Sequence, residues 1–88
     1  MQNNYIVTFG ECSIINKASL EHTLKKGKYN CKVNDNTWIV KTSLPPSNLR
    51  NYIISFLDKN TTVFVAELRG NAAWRNANNI TNFYLNKY

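Results

Sequence analysis

"TWIVKTSLPPSNLRNYIISFLDKNTTVFVAEL", residues 37–68, reads as strand, helix, strand. In "TWIVKT", Trp38, Val40 and Thr42 alternate with Thr37, Ile39 and Lys41, the period of two that a strand imposes. In "SNLRNYIISFLDKN", 47–60, Leu49, Tyr52, Ile53, Phe56 and Leu57 fall at i, i+3, i+4, i+7 and i+8, the core stripe of one helix. Pro45 and Pro46 stand at its start, where a missing N–H costs nothing. Asn48, Arg50, Asn51 and Ser55 make its polar outer face. "TTVFVAEL", 61–68, is the next strand, and "RG" ends it.

Upstream, "NYIVTF" at 4–9 sets Tyr5, Val7 and Phe9 against Ile6 and Thr8, a further strand that "GECS" interrupts. "INKASLEHTLKK", 15–26, places Leu20 and Leu24 on one face, with Glu21 and Lys25 four apart in the favourable order. Gly27 follows as a stop. Tyr29, Cys31 and Val33 alternate with Asn30 and Lys32, which predicts an edge strand with a lysine on its open face. "NDN", 34–36, supplies the turn that hairpins it to Thr37–Thr42.

The order is β-α-β-β-α-β. Two helices on one face of a four-stranded antiparallel sheet make the α+β, ferredoxin-like arrangement. The chain reads as one domain over 1–88, with a core at 1–70 and a tail at 71–88. Both faces of the first and fourth strands carry apolar residues, so the open face needs a cover. A second copy would supply one. The tail, with Ile80, Phe83, Tyr84 and Leu85, is too apolar to float free and is expected to pack on the sheet or on a dimer partner.

Eighty-eight residues leave no room for a second core. With 43% hydrophobic and 18% charged residues the chain is globular rather than disordered. Its size favours a homodimer. Eleven Lys and Arg against five acids give a net charge of +6, which attracts polyanions or an acidic protein partner. The same charge also serves plain solubility. Cys12, Cys31 and the single His22 cannot furnish the four ligands of structural zinc, and their spacing supports no Cys–His nucleophile. Reduced thiols and the lack of a leader or long apolar run predict a cytoplasmic protein. The asparagine-rich "NDN" and "NANN" suit an AT-rich coding source such as a low-GC bacterium, its phage or a mobile element.

The run "TWIVKTSLPPSNLRNYIISFLDKNTTVFVAELRGNAAW", 37–74, resembles the small bacterial proteins labelled SinR-family. These are divergent relatives of the CRISPR adaptation nuclease, the small dimeric endoribonuclease that partners the CRISPR integrase. The cues are the strand Trp followed by "IV", "TSL" opening a helix with "LR", then "LDKN", and "ELRG" with "AAW" after the last strand. They are structural motifs, and they imply the ferredoxin-like fold more strongly than an activity.

In that nuclease family the first strand ends in an aromatic followed by an aspartate. Two such aspartates face each other across the dimer two-fold around one divalent metal. Carried onto this chain, Phe9 takes the aromatic place and Gly10 the aspartate's. Glu11, one residue on, points the other way in an extended chain unless a bulge at Gly10 swings it back. Magnesium needs hard oxygen ligands, and Glu21, Asp35, Asp58 and Glu67 form no pair spaced for one ion. No cofactor is expected, with Mg2+ entering only if Glu11 serves a surviving nuclease.

Lys25, Lys26 and Lys28 make the densest basic patch, which Lys17, Lys32 and Lys41 would extend if a dimer aligns them. The same lysines also suit a helix C-terminus. Arg69 and Arg75 flank "GNAAW", where guanidinium groups grip phosphate or an acidic partner. Trp38 is a core residue by its strand, and Trp74 a packing residue. The sequence therefore predicts a non-catalytic basic homodimer that binds nucleic acid through phosphates. The rivals are a protein-interaction module, such as an antitoxin or an anti-defence inhibitor, and a metal-dependent endoribonuclease using Glu11.

Overall fold

A computed structural model describes residues 2–27, 30–69 and 75. The elements run β1 (Asn3–Phe9), α1 (Ile14–Lys25), β2 (Cys31–Asn34), β3 (Thr37–Thr42), α2 (Pro46–Ile54) and β4 (Val63–Leu68). The sheet order is β2-β3-β1-β4, and every neighbouring pair is antiparallel. This is the expected ferredoxin-like α+β architecture.

Alternation sorts the sheet into two faces. Tyr5, Val7 and Phe9 of β1 and Trp38 and Val40 of β3 are buried in one cluster with Leu20 and Leu24 of α1 and Leu49 and Ile53 of α2. The register places Val7 beside Trp38 on one side and Val65 on the other, so this core crosses the central strands. Both helices therefore sit on one face. Ile6, Ile39, Cys31, Val33 and Leu68 form a second, smaller cluster on the opposite face. The tail at 71–88, expected to pack on the sheet or on a dimer partner, lies outside the described residues apart from the exposed Arg75.

The second helix is shorter than its apolar stripe predicts. It stops at Ile54, and the Ser55 hydroxyl donates to the Tyr52 carbonyl, a local bond that competes with the helical ladder. Phe56 and Leu57 then donate their amides to Ile53 and Ile54, three residues back rather than four. That tighter turn keeps Phe56 and Leu57 packed on the core. Tyr52, expected in the stripe, is 46% exposed.

Lys32 also departs from expectation. The register of β2 on β3 pairs it with Trp38, on the helix side, where Glu21 of α1 lies 2.8 Å away. It does not face openly outward. Among the described residues no helix is long and apolar enough to cross a membrane.

Candidate functional site

The end of β1 is held by a dense set of backbone contacts. The Gly10 amide donates to the Thr62 carbonyl at 2.8 Å, which carries the β1–β4 ladder one step past Phe9. Across the other edge, the Phe9 amide donates to the Asn36 carbonyl. The Asn36 side-chain amide in turn donates to the carbonyls of Phe9 and Gly10, at 2.9 and 3.2 Å. The turn asparagine of "NDN" thus clamps the residue where the family resemblance expects an aspartate.

Gly10 is not required there by its backbone. A Cβ built on it meets Thr62 Cβ at 3.6 Å, an ordinary contact, and its φ lies outside the left-handed range. The irregularity in the sheet register falls between Lys32 and Asn34, while the ladder runs through Gly10. No bulge at Gly10 turns Glu11 back toward the face of residue 10. Glu11 is exposed, and its carbonyl accepts from the Thr61 hydroxyl at 3.0 Å. Among the described residues no three His, Cys, Asp or Glu side chains gather as metal ligands.

Four of the five acids are engaged within the fold. Lys32 sits 2.8 Å from Glu21 and 3.7 Å from Asp35. The contact with Glu21, reinforced by both negative charges, raises the Lys32 pKa despite partial desolvation. Arg69 makes a two-pronged contact with Glu67, at 2.7 and 3.4 Å. Asp58 accepts from the Ser13 amide at 2.7 Å, from the Ser13 hydroxyl at 3.3 Å and from the Asn16 side chain. Those donors, the Ser13 amide first, pull its carboxyl below the usual range. Glu11 is the remaining acid.

The basic candidates separate accordingly. Lys25 and Lys26 are exposed at the end of α1, which carries no acid in that turn. Lys17 is half-buried and 3.5 Å from Asn36 Oδ1, a long contact that turns it toward the hairpin. Arg69 is committed to Glu67, although its side chain is 83% exposed. Arg75 is exposed, and Lys28 lies outside the described residues. Lys32 drops out of the patch that was to extend from it, because two carboxylates hold it.

The thiols do not make a nucleophile. Burial pushes Cys31 up, and burial followed by the nearby Asp58 charge does the same to Cys12. Both are thereby kept as thiols, the opposite of an activated thiolate. Cys31 belongs to the sheet face away from the helices, whereas His22 rides exposed on α1.

The role of Asp58 was not apparent from the sequence, which placed it simply at a helix end. Its partners are more than forty residues away. The one local signal for it is Ser13, a residue type favoured at a helix N-cap, whose hydroxyl accepts from the Asn16 amide. The chain matches no known family profile and no curated protein.

Proposed function

We propose that the protein binds nucleic acid through lysine–phosphate contacts, as a non-catalytic homodimer related to the CRISPR adaptation nucleases. The observation that carries this reading is the uneven use of charge. Four of the five acids are paired with cations or hydrogen-bond donors of the fold, and two of them share Lys32. Lys25 and Lys26 stand exposed with no acid in their turn of the helix. A polyanion meeting this surface displaces counterions and finds few carboxylates to repel it. Dimerisation is supported by bare apolar side chains where α1 and β4 begin, with Ile14 87%, Ile15 78% and Phe64 59% exposed. The absent aspartate at Gly10 and the outward-turned Glu11 argue against metal-dependent cleavage.

The test is fluorescence anisotropy on labelled duplex DNA, single-stranded DNA and RNA across salt, with and without magnesium, followed by a denaturing gel. Binding should weaken steeply with salt while the probes stay intact. Replacing Lys25 and Lys26 with Glu should flatten the log–log salt slope by about 0.9 per lost contact on duplex and about 0.7 on single strands. Magnesium-dependent cleavage that Glu11→Gln abolishes would replace this reading with an endoribonuclease.

The bare Ile14 and Ile15 favour a second reading, in which the protein docks on and inhibits an acidic partner protein, as an antitoxin or a mobile-element anti-defence factor does. Absence of nucleic-acid binding even at low salt, with Ile15→Asp abolishing capture of one acidic partner, would select it.

A further inference from the structure

The end of the molecule away from Gly10 holds an open cleft of about 170 Å³ between the last turn of α1, the end of β3 and α2. Its floor is apolar and rigid: Leu24, Val40 and Leu49 are each no more than 4% exposed. One wall is Asn30, whose amide is used at both ends. Its Nδ2 donates to the Leu24 carbonyl and its Oδ1 accepts from the Lys41 amide, each at 3.0 Å. Gly27 passes close behind this wall, where a Cβ would fall 2.2 Å from Asn30 Nδ2. Tyr52 lines the cleft while remaining 46% exposed. Its ring is braced edge-on by Phe56, with centroids 5.3 Å apart and planes at 79°. An exposed aromatic ring held in one orientation beside an apolar floor is a stacking platform.

Resting on the nucleic-acid reading above, we propose that this cleft takes one unstacked base of a single-stranded nucleic acid, stacked on Tyr52, while Lys25 and Lys26 hold the adjoining phosphates. Size supports this occupant: an apolar cavity of about 150 Å³ admits benzene, so about 170 Å³ is room for one base. Charge supports it too. Lys25 and Lys26 lie in the chain between the lining residues Leu24 and Gly27 and are exposed, and among the described lining residues none is acidic. Of the polar groups that line the cleft, the Asn30 amide is spent on the Leu24 carbonyl and the Lys41 amide. The Thr23, Thr42 and Tyr52 hydroxyls and the Lys41 side chain are placed to meet the base edge, Thr42 keeping its O–H although it accepts from the Leu44 amide. Rotatable hydroxyls and a flexible ammonium set no fixed pattern of donors and acceptors, so the site would read stacking rather than sequence.

The test measures anisotropy with the full chain on three probes of one length: oligothymidylate, the same strand carrying abasic sites, and duplex. The expected result is oligothymidylate bound on the order of tenfold tighter than the abasic strand, in the range that aromatic–base stacking supplies. Tyr52→Ala should erase that difference without changing abasic binding, and Tyr52→Phe should preserve it. Because Tyr52 is half-exposed, circular dichroism should show both variants folded. Thr23→Phe, which fills the cleft and leaves Tyr52 in place, is a second variant that should erase the difference. Equal binding of thymidylate and abasic strands, or an equal loss on both with Tyr52→Ala, overturns the cleft and leaves the phosphate reading standing. Failure of all three probes to bind at low salt overturns both.

Discussion

Over twelve residues α1 buries two side chains, Leu20 and Leu24, and over nine residues α2 also buries two, Leu49 and Ile53. What surrounds those anchors differs. The start of α1 is pinned by Ser13 and by the carboxylate of Asp58, its side by the Glu21–Lys32 pair, and its end by Asn30 on the Leu24 carbonyl. At the start of α2 there is no side-chain cap, only Pro45 and Pro46, and behind its end Phe56 and Leu57 pack on the core. One helix is placed by long-range polar contacts around a small apolar seat, the other by its apolar neighbours. The early stop of α2 also connects the two, since Asp58 reaches α1 from the turns that follow Ile54.

The widest test of that contrast is to remove one anchor from each helix. Ile53→Ala and Leu20→Ala should each cost about 2–5 kcal/mol in urea melts, because both side chains are fully buried. A loss below about 1 kcal/mol for Leu20→Ala alone, well under the usual cost of such a truncation, would mean that the pins carry α1 unaided.

A smaller effect should sharpen it. Asn30→Ala takes the side-chain acceptor from the Lys41 amide and leaves the Leu24 carbonyl with the Gly27 amide. It should cost about 1–3 kcal/mol, with faster amide exchange at Lys41. Ser47→Ala in the exposed first turn of α2 should stay within about 0.5 kcal/mol. Equal costs for the two would erase the distinction.

The subtlest test is a pH scan. The Asp58 carboxyl is lowered in the folded state, so its contribution is present above the unfolded value, about 4, and fades as pH falls through the folded value below that. Asp58→Asn should therefore lower Tm modestly at neutral pH. Its Tm should converge on that of the parent as the solution is acidified below about pH 4. A constant gap would show that Asp58 acts by shape rather than by charge.

The contrast also explains what could be read in advance. Alternation placed Trp38 and Val40 in the core and Ile39 on the opposite face, because burial on a sheet is written every second residue. It could not show the end of α2, because Ser55 closes that helix with a hydroxyl while Phe56 and Leu57 continue the apolar stripe through a tighter turn. Nor could it orient Lys32, whose side is set by pairing with Trp38 and by an acid on another element. At the site, that residue 10 is glycine and carries no carboxylate was plain from one letter. The cleft was not, because Thr23, Val40 and Tyr52 meet only after three elements have packed.

Gly10 has an evolutionary consequence. Its backbone is ordinary and its surroundings would accept a Cβ, so the fold sets no barrier between glycine and aspartate at this position. A glycine codon ending in a pyrimidine becomes an aspartate codon by one base change. A carboxylate at this position thus stands one mutational step from such a codon, with no change asked of the scaffold or its basic helix end.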